Sequence, residues 1–219
     1  MNCRERLLDL LFPRKCPFCR SILADPETPL CSSCQPRLPW QTGKGAERNV
    51  DFADSCLSPL AYRDGVPEAV RRYKFSGVRA YARPFGVLMA QCAADHTLEA
   101  DCVTWVPLSA KRRRQRGYDQ AELLARRVGE ELNLPVLPAL EKIRHNQTQS
   151  DLDSEGARRA NALGAYAVLP EAGVEGKRVL LVDDVVTSGA TLSECARVLR
   201  QAGAVKVYGL TLARARRGK

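Results

Sequence analysis

The fold of this chain is decided by one stretch of thirteen residues, Val179-Leu180-Leu181-Val182-Asp183-Asp184-Val185-Val186-Thr187-Ser188-Gly189-Ala190-Thr191. The apolar run at its start is typical of a central parallel strand, and the pattern after Thr191 is helical. Ligands of parallel sheets bind at the carboxyl ends of the strands. The turn at residues 187–191 therefore lies where a ligand is expected.

The residue types of this turn favour an anion. Backbone N–H groups at a helix N-terminus attract phosphate, the hydroxyls of Thr187, Ser188 and Thr191 add donors, and Gly189 lets the backbone come close. Asp183 and Asp184 would repel a phosphate, but they can accept hydrogen bonds from ribose 2′- and 3′-hydroxyls or hold a divalent cation. Together the two parts predict a ribose 5-phosphate site.

A simpler interpretation is that the two aspartates cap the helix and that residues 187–191 form an ordinary loop. The order of strand, acidic pair, hydroxyl-glycine turn and helix argues against it. The Gly-x-Gly-x-x-Gly and Walker A patterns are both absent from the sequence, which disfavours dinucleotide binding and P-loop hydrolysis.

From Cys56 onward the chain alternates apolar strands with helical periodicity. We predict strands at residues 56–62, 102–108, 178–182 and 205–212, and helices at 67–75, 81–92, 120–132 and 192–201. This alternation predicts an α/β fold with a doubly wound, mostly parallel sheet and helices on both faces.

The first 45 residues form a different module. Cys16, Cys19, Cys31 and Cys34 make two C-x-x-C pairs separated by eleven residues, a spacing that fits a tetrahedral Zn²⁺ site. A redox pair and chance spacing are the rival interpretations. Four thiolates leave no position for a catalytic water, so the predicted zinc is structural. The predicted domains are 1–45, with a helix at residues 4–12 and the zinc knuckle, and 46–219. The polar residues 41–49, which include Gly43 and Gly45, are predicted to be a linker.

Charge and hydropathy restrict the partners. The chain has 34 Lys and Arg against 25 Asp and Glu, a net charge of +9, which favours polyanions such as nucleic acid or phosphorylated metabolites. No apolar stretch approaches the roughly 20 residues of a membrane-spanning helix. We expect no membrane insertion and a cytoplasmic location.

The most basic run contains Lys111, Arg112, Arg113, Arg114 and Arg116. A solvated, self-repelling loop is the usual explanation for such a run. The same residues would also attract a nucleic-acid backbone, and we predict that they bind DNA.

The stretch at residues 179–191 resembles the phosphoribosyl pyrophosphate signature of type I phosphoribosyltransferases. The four-cysteine knuckle and four further stretches make the chain similar to one branch of that superfamily, the ComF/GntX family of competence-associated proteins. These stretches are Tyr73-Lys74-Phe75, Val106-Pro107-Leu108-Ser109, Arg116-Gly117-Tyr118-Asp119-Gln120, and residues 144–166 with Gln147, Arg158 and Asn161. The chain departs from the family pattern at Ser188, which keeps a hydroxyl, and at Asp119, whose negative charge disfavours an anion contact.

The resemblance implies the type I phosphoribosyltransferase fold and assigns roles to residues. It implies that the acidic pair contacts ribose hydroxyls and that the turn at 187–191 binds the 5′-phosphate, with Mg²⁺ accompanying the ligand. It places the pyrophosphate at the turn formed by residues 108–111 and under a flexible lid formed by residues 144–159. The residues that it assigns to these two places are Leu108, Ser109, Ala110, Lys111, Arg144, Gln147 and Arg158. A plain solvated loop is the alternative for the lid.

Two functions follow from these features. The resemblance implies a protein of natural competence and DNA uptake that holds phosphoribosyl pyrophosphate and handles single-stranded DNA, together with other competence proteins. The alternative is an active phosphoribosyltransferase that transfers the sugar to a nitrogen base in nucleotide metabolism or salvage. The sequence carries the donor half of such an enzyme and no recognisable acceptor pocket.

Overall fold

A parallel sheet forms the centre of the protein. The computed structural model describes residues 13–25, 27–144, 156 and 161–216. The strands of this part are β1 (Ser55–Leu57), β2 (Leu60–Ala61), β3 (Cys102–Trp105), β4 (Leu140–Lys142), β5 (Tyr166–Val168), β6 (Arg178–Val186) and β7 (Lys206–Arg214). The main sheet has the order β1-β7-β6-β3, β2 also pairs with β7, and all these pairings are parallel. β4 and β5 form a separate antiparallel pair.

Helices cover both faces of the main sheet. They are α1 (Val66–Phe75), α2 (Ala82–Asp95), α3 (Ala110–Arg116), α4 (Gln120–Leu132) and α5 (Ala190–Gln201). Alternate residues of β6 point to opposite faces: Leu180 and Val182 pack with α1, α2 and α4, whereas Val179 and Leu181 pack with α5. The predicted α/β architecture, with a mostly parallel sheet between two helical layers, is confirmed.

Prolines explain where two predicted strands differ from the structure. The strand predicted at residues 56–62 is interrupted at Ser58 and Pro59 and gives β1 and β2. The strand predicted at 102–108 ends at Trp105, two residues before Pro107. Because proline has no backbone N–H, it cannot continue the hydrogen-bond ladder of a central strand. By contrast, β6 extends beyond its predicted end and carries the acidic pair within the strand.

The basic run is helical, so the simple loop interpretation of residues 111–116 is wrong. Ser109 is the N-cap of α3, where its Oγ accepts a hydrogen bond from Arg112 N at 3.4 Å. Gly117 ends the helix in the left-handed conformation, with φ of 74°. The two caps allow a short helix that has no apolar face of its own.

The zinc module packs on α1 and α2. Its buried side chains Cys16, Leu23, Leu30 and Leu38 belong to the same apolar cluster as Phe85 of α2. Arg72 of α1 donates to the backbone oxygens of Pro17 and Phe18 at 2.7 and 3.0 Å. The helix predicted at residues 4–12 lies outside the described residues.

The predicted linker at residues 41–49 is packed against the sheet edge. It contains the short 3-10 helix Gly43–Gly45 and the buried Ala46, and Glu47 forms an isolated bridge to Leu57 of β1. In the part of the chain that the structure describes, no helix combines the length and apolarity needed to cross a membrane.

Candidate functional site

A cleft of about 560 Å³ lies at the carboxyl ends of β3 and β6. Its walls come from the ends of these strands, from α1, α3 and α4, and from the β4–β5 pair. The acidic pair, Thr187 and Thr191 line it, as do Leu108, Ser109 and Arg112. Chain segments that are far apart in sequence thus meet at the edge of the sheet where a ligand is expected.

The two aspartates are neighbours in a largely buried site. Asp183 Oδ1 accepts a hydrogen bond from Asp184 N at 2.8 Å, and Asp184 forms an ion pair with Lys74. Burial and the adjacent charge of Asp184 raise the pKa of Asp183. Burial alone would lower the pKa of Lys74, but its partner Asp184 outweighs this effect and the pKa is raised. The pair can accept hydrogen bonds from hydroxyls or bind a cation.

Gly189 determines the shape of the turn at residues 187–191. Its φ of 86° lies in the left-handed region, and a Cβ at this position would come within 3.3 Å of Val50 Cγ2. Gly189 is the N-cap residue of α5, and Ser188 Oγ accepts from Ala190 N at 3.3 Å. The turn thus brings hydroxyls and the start of a helix to the cleft, an arrangement suited to an anion.

Asp119 lines the cleft and has a structural role there. Its Oδ2 accepts from Leu108 N at 2.7 Å, and its Oδ1 accepts from Ala121 N and Glu122 N at 3.1 and 3.4 Å. Asp119 therefore caps α4 and fixes the turn after β3. These three N–H groups donate to a charged carboxylate. Asp119, which departs from the family pattern, therefore stabilises the turn.

The cations of α3 divide between two faces. Arg112 and Arg116, four residues apart, are half-buried and line the cleft. Lys111, Arg113 and Arg114 are exposed, as is Ala110. Of the residues expected at pyrophosphate, Leu108 and Ser109 thus line the cleft, whereas Ala110 and Lys111 lie at the exposed start of α3.

Two of the stretches that carry the family resemblance contact each other. Tyr73 Oη donates to the backbone oxygen of Gln120 at 2.8 Å, and Tyr118 Oη donates to the backbone oxygen of Tyr73. Arg116 Nη1 donates to Gln120 Oε1 at 2.7 Å, and its guanidinium carbon lies 4.7 Å from the centre of the Phe75 ring. These contacts join α1 to the segment between α3 and α4.

The sequence did not indicate Lys142 of β4, a cation that lines the cleft in addition to those of α3. Lys142 Nζ lies 3.2 Å from Tyr166 Oη, and both residues line the cleft. Burial lowers the pKa of Lys142, and the charge of Arg112 adds to this effect. No periodicity marks a three-residue strand, so only the fold places this lysine in the same cleft as the acidic pair.

The candidate lid is only partly described. Arg144 is exposed two residues after the end of β4, and Asn161 lines the cleft. Gln147 and Arg158 lie outside the described residues.

The four predicted zinc ligands are clustered in the N-terminal module. The Sγ atoms of Cys16, Cys19, Cys31 and Cys34 all lie within 4.8 Å of one another, and those of Cys19 and Cys31 are 3.5 Å apart. A tetrahedron with Zn–S bonds of about 2.3 Å has edges of about 3.8 Å, so the cluster fits Zn²⁺. With four thiolates the zinc is structural, and its role is to hold the module together.

Comparison with known proteins supports both modules. The family described as phosphoribosyl transferase domain matches residues 115–219, and the family described as double zinc ribbon domain matches residues 7–45. Competence protein F of Haemophilus influenzae is 30% identical over 227 residues, which cover 93% of this chain and 98% of the relative.

Two further relatives match over most of their length. Competence protein ComFC of Bacillus subtilis is 26% identical, covering 95% of this chain and 93% of the relative. The DNA utilization protein YhgH of Salmonella typhimurium is 31% identical, covering 91% of this chain and 83% of the relative. The phosphoribosyltransferase fold and the zinc module predicted from sequence are both confirmed. The chain belongs to the ComF family of the type I phosphoribosyltransferase superfamily.

Proposed function

We propose that the cleft binds phosphoribosyl pyrophosphate. The observation that carries this proposal is the position of Asp183 and Asp184 near the end of β6, separated by two residues from a glycine-shaped turn at the start of a helix. The carboxylates accept hydrogen bonds from the ribose hydroxyls, and the turn at residues 187–191 holds the 5′-phosphate. A ligand with only one of these groups would leave half of the site without a partner.

The turn after β3 supports a place for the pyrophosphate group. The turn that Asp119 holds at Leu108 lines the same cleft as the acidic pair, and Arg112 and Lys142 bring positive charge to this cavity. Charged donors in a site partly shielded from water bind phosphate oxygens strongly. In this arrangement the sugar lies between its two phosphate sites.

The donor set also fits Mg²⁺. Proteins hold this ion with one or two carboxylates together with substrate phosphates, and the adjacent carboxyls of Asp183 and Asp184 both line the cleft. Asp183 and Asp184 would hold the ion, whose charge would offset that of the pyrophosphate.

The biological role that we propose is natural competence and DNA uptake, with handling of single-stranded DNA in the cytoplasm. Relatives that match nearly the whole chain are named as competence and DNA-utilisation proteins. The exposed cations Lys111, Arg113 and Arg114 on α3 support contact with a nucleic-acid backbone beside the cleft.

Direct binding tests the ligand. Calorimetric titration of the purified protein with phosphoribosyl pyrophosphate at fixed Mg²⁺ should show saturable binding at one site per chain. Binding of inorganic pyrophosphate that equals or exceeds that of the sugar phosphate would contradict a ribose-directed site.

An active phosphoribosyltransferase is the second candidate, and Lys142 and Arg112 favour it. Both cations line the cleft that holds the acidic pair, where they would stabilise departing pyrophosphate while a nitrogen base attacks the ribose C1′. Release of pyrophosphate from phosphoribosyl pyrophosphate and Mg²⁺ in the presence of a panel of bases would support catalysis. Absence of release with every base would favour a binding protein.

A further inference from the structure

We propose that Phe75, backed by Arg116 and Gln120, forms a stacking site for a nucleobase at the mouth of the cleft. This inference rests on the proposed function, because it places the base beside the site proposed for the ribose phosphate. It adds a feature that the sequence did not indicate, an aromatic surface on which the base can stack.

The Phe75 ring is exposed and held in position. It is the last residue of α1, it lines the cleft, and the residue is 68% exposed. The guanidinium of Arg116 lies over the ring at 4.7 Å, and the same guanidinium is fixed by Gln120 at 2.7 Å. A cation over one face of an aromatic ring orients it and leaves the remaining surface for a second planar group.

Gln120 provides an independent indication of a ligand. The residue is 1% exposed and lines the cleft, and its Nε2 atom has no hydrogen-bond partner among the residues that the structure describes. A buried donor without a partner is costly, and such groups in native proteins call for an explanation. The carbonyl or ring nitrogen of a base, stacked on Phe75, offers the acceptor that Gln120 lacks.

The position of the ring relative to the acidic pair fits a nucleoside. Lys74 precedes Phe75 in the chain, and its Nζ lies 2.8 Å from Asp184 Oδ1. Phe75, Lys74 and Asp184 all line the same cleft, so the ring shares the cavity with the carboxylates proposed to bind the ribose. A base attached to the sugar, or approaching it, reaches Phe75 without leaving the cleft.

Exposed phenylalanines are common, and position is what sets Phe75 apart. Phe52 is 55% exposed but lies outside the cleft lining, so Phe52→Ala is a matched control. Phe75→Ala removes the ring, and Phe75→Leu keeps an apolar side chain without the aromatic face. Because the side chain is exposed, all three variants should fold, which a thermal melt confirms.

Calorimetry with two ligand pairs tests the inference. The first pair is adenosine 5′-monophosphate against ribose 5-phosphate, which differ by the base. Stacking contributes about 1–3 kcal/mol per base on alanine substitution, so Phe75→Ala should weaken nucleotide binding about fivefold to about 150-fold. Ribose 5-phosphate should bind all variants equally, Phe75→Leu should resemble Phe75→Ala, and Phe52→Ala should bind as wild type.

The second pair identifies the source of the base. An oligothymidylate is compared with an abasic oligonucleotide of the same length. A loss confined to the oligothymidylate shows that bases of single-stranded DNA use the ring, and a loss confined to the mononucleotide shows a free nucleotide or base. Unchanged binding of both base-bearing ligands by Phe75→Ala would overturn the inference while leaving the ribose-phosphate proposal intact. Failure of wild type to bind ribose 5-phosphate would instead overturn both.

Discussion

Lys74 and Asp184 form an ion pair of 2.8 Å that joins helix α1 to the end of strand β6. Both side chains are largely buried, at 25% and 12% exposure. The lysine neutralises one carboxylate of a pair whose members repel each other, and so allows two adjacent acids to remain at the edge of the sheet. The site is therefore built from a local motif and a distant cation.

Removal of the Asp183 charge should stabilise the protein at high pH. Burial and Asp184 raise the folded-state pKa of Asp183, so this residue favours the folded state at low pH and loses that contribution as pH rises through the folded pKa. We expect Asp183→Asn to raise Tm, and to raise it more at pH 8 than at pH 5, because the unfavourable contribution of the charge grows from the unfolded pKa up to the raised folded pKa. For a chain of this size about 1 kcal/mol corresponds to about 2–4 °C, which differential scanning calorimetry resolves. A lower Tm at pH 8 would contradict this account of the pair.

Loss of zinc should weaken the whole fold. Cys16, Leu23, Leu30 and Leu38 share one apolar cluster with α1 and α2, so an unfolded module exposes part of the main core. Purified protein never treated with chelator should carry about one zinc per chain. Cys16→Ser should lose the metal and lower Tm, whereas Cys102→Ser alters a buried thiol outside the zinc cluster and should retain the metal. Full zinc occupancy in Cys16→Ser would contradict the assigned ligand set.

The two faces of α3 should have separable roles. Lys111→Gln with Arg114→Gln removes two exposed cations, which should weaken single-stranded DNA binding and reduce the salt slope by about 1.4. Arg112→Gln, on the cleft face, should instead weaken binding of phosphoribosyl pyrophosphate. Fluorescence anisotropy over a salt series measures the first effect. An unchanged slope in the double variant would show that α3 does not contact the DNA backbone.

Replacement of Lys142 should weaken the binding of ligands that carry pyrophosphate more than the binding of ligands that lack it. A hydrogen bond to a charged group contributes about 1.5–3 kcal/mol, so Lys142→Met should weaken phosphoribosyl pyrophosphate about tenfold or more. Ribose 5-phosphate should bind nearly as in wild type. Tyr166→Phe removes only the hydroxyl 3.2 Å from Lys142 Nζ and serves as the control. Equal losses for both ligands would place Lys142 away from the pyrophosphate.

The sequence predicted those parts of the site that depend on local chemistry. The stretch at residues 179–191 contains a buried strand, an acidic pair and a glycine at the turn. Each of these features depends on residues that are neighbours in the sequence, so the sequence alone predicts it. Helix α3 was not predicted, because its residues show no apolar periodicity, and its caps Ser109 and Gly117 are seen in the structure.

Parts that depend on distant contacts could not be predicted. Lys142 lies on a three-residue strand, too short for an alternating pattern, and reaches the cleft only because β4 pairs with β5. The ion pair of Lys74 with Asp184 and the stacking of Arg116 on Phe75 join segments far apart in the chain. Only the packing of helices on the sheet brings such residues together.

The most direct test of the ribose-phosphate site separates recognition of the sugar from recognition of the phosphate. Calorimetry at fixed Mg²⁺ compares wild type with the double variant Asp183→Asn and Asp184→Asn, titrated with ribose 5-phosphate and with inorganic phosphate. Because an ionised acceptor makes a stronger hydrogen bond than an amide, we predict at least a tenfold loss for ribose 5-phosphate. Inorganic phosphate should bind no worse, since repulsion by the carboxylates is removed. Failure of wild type to bind ribose 5-phosphate, or equal binding by the double variant, would contradict the account.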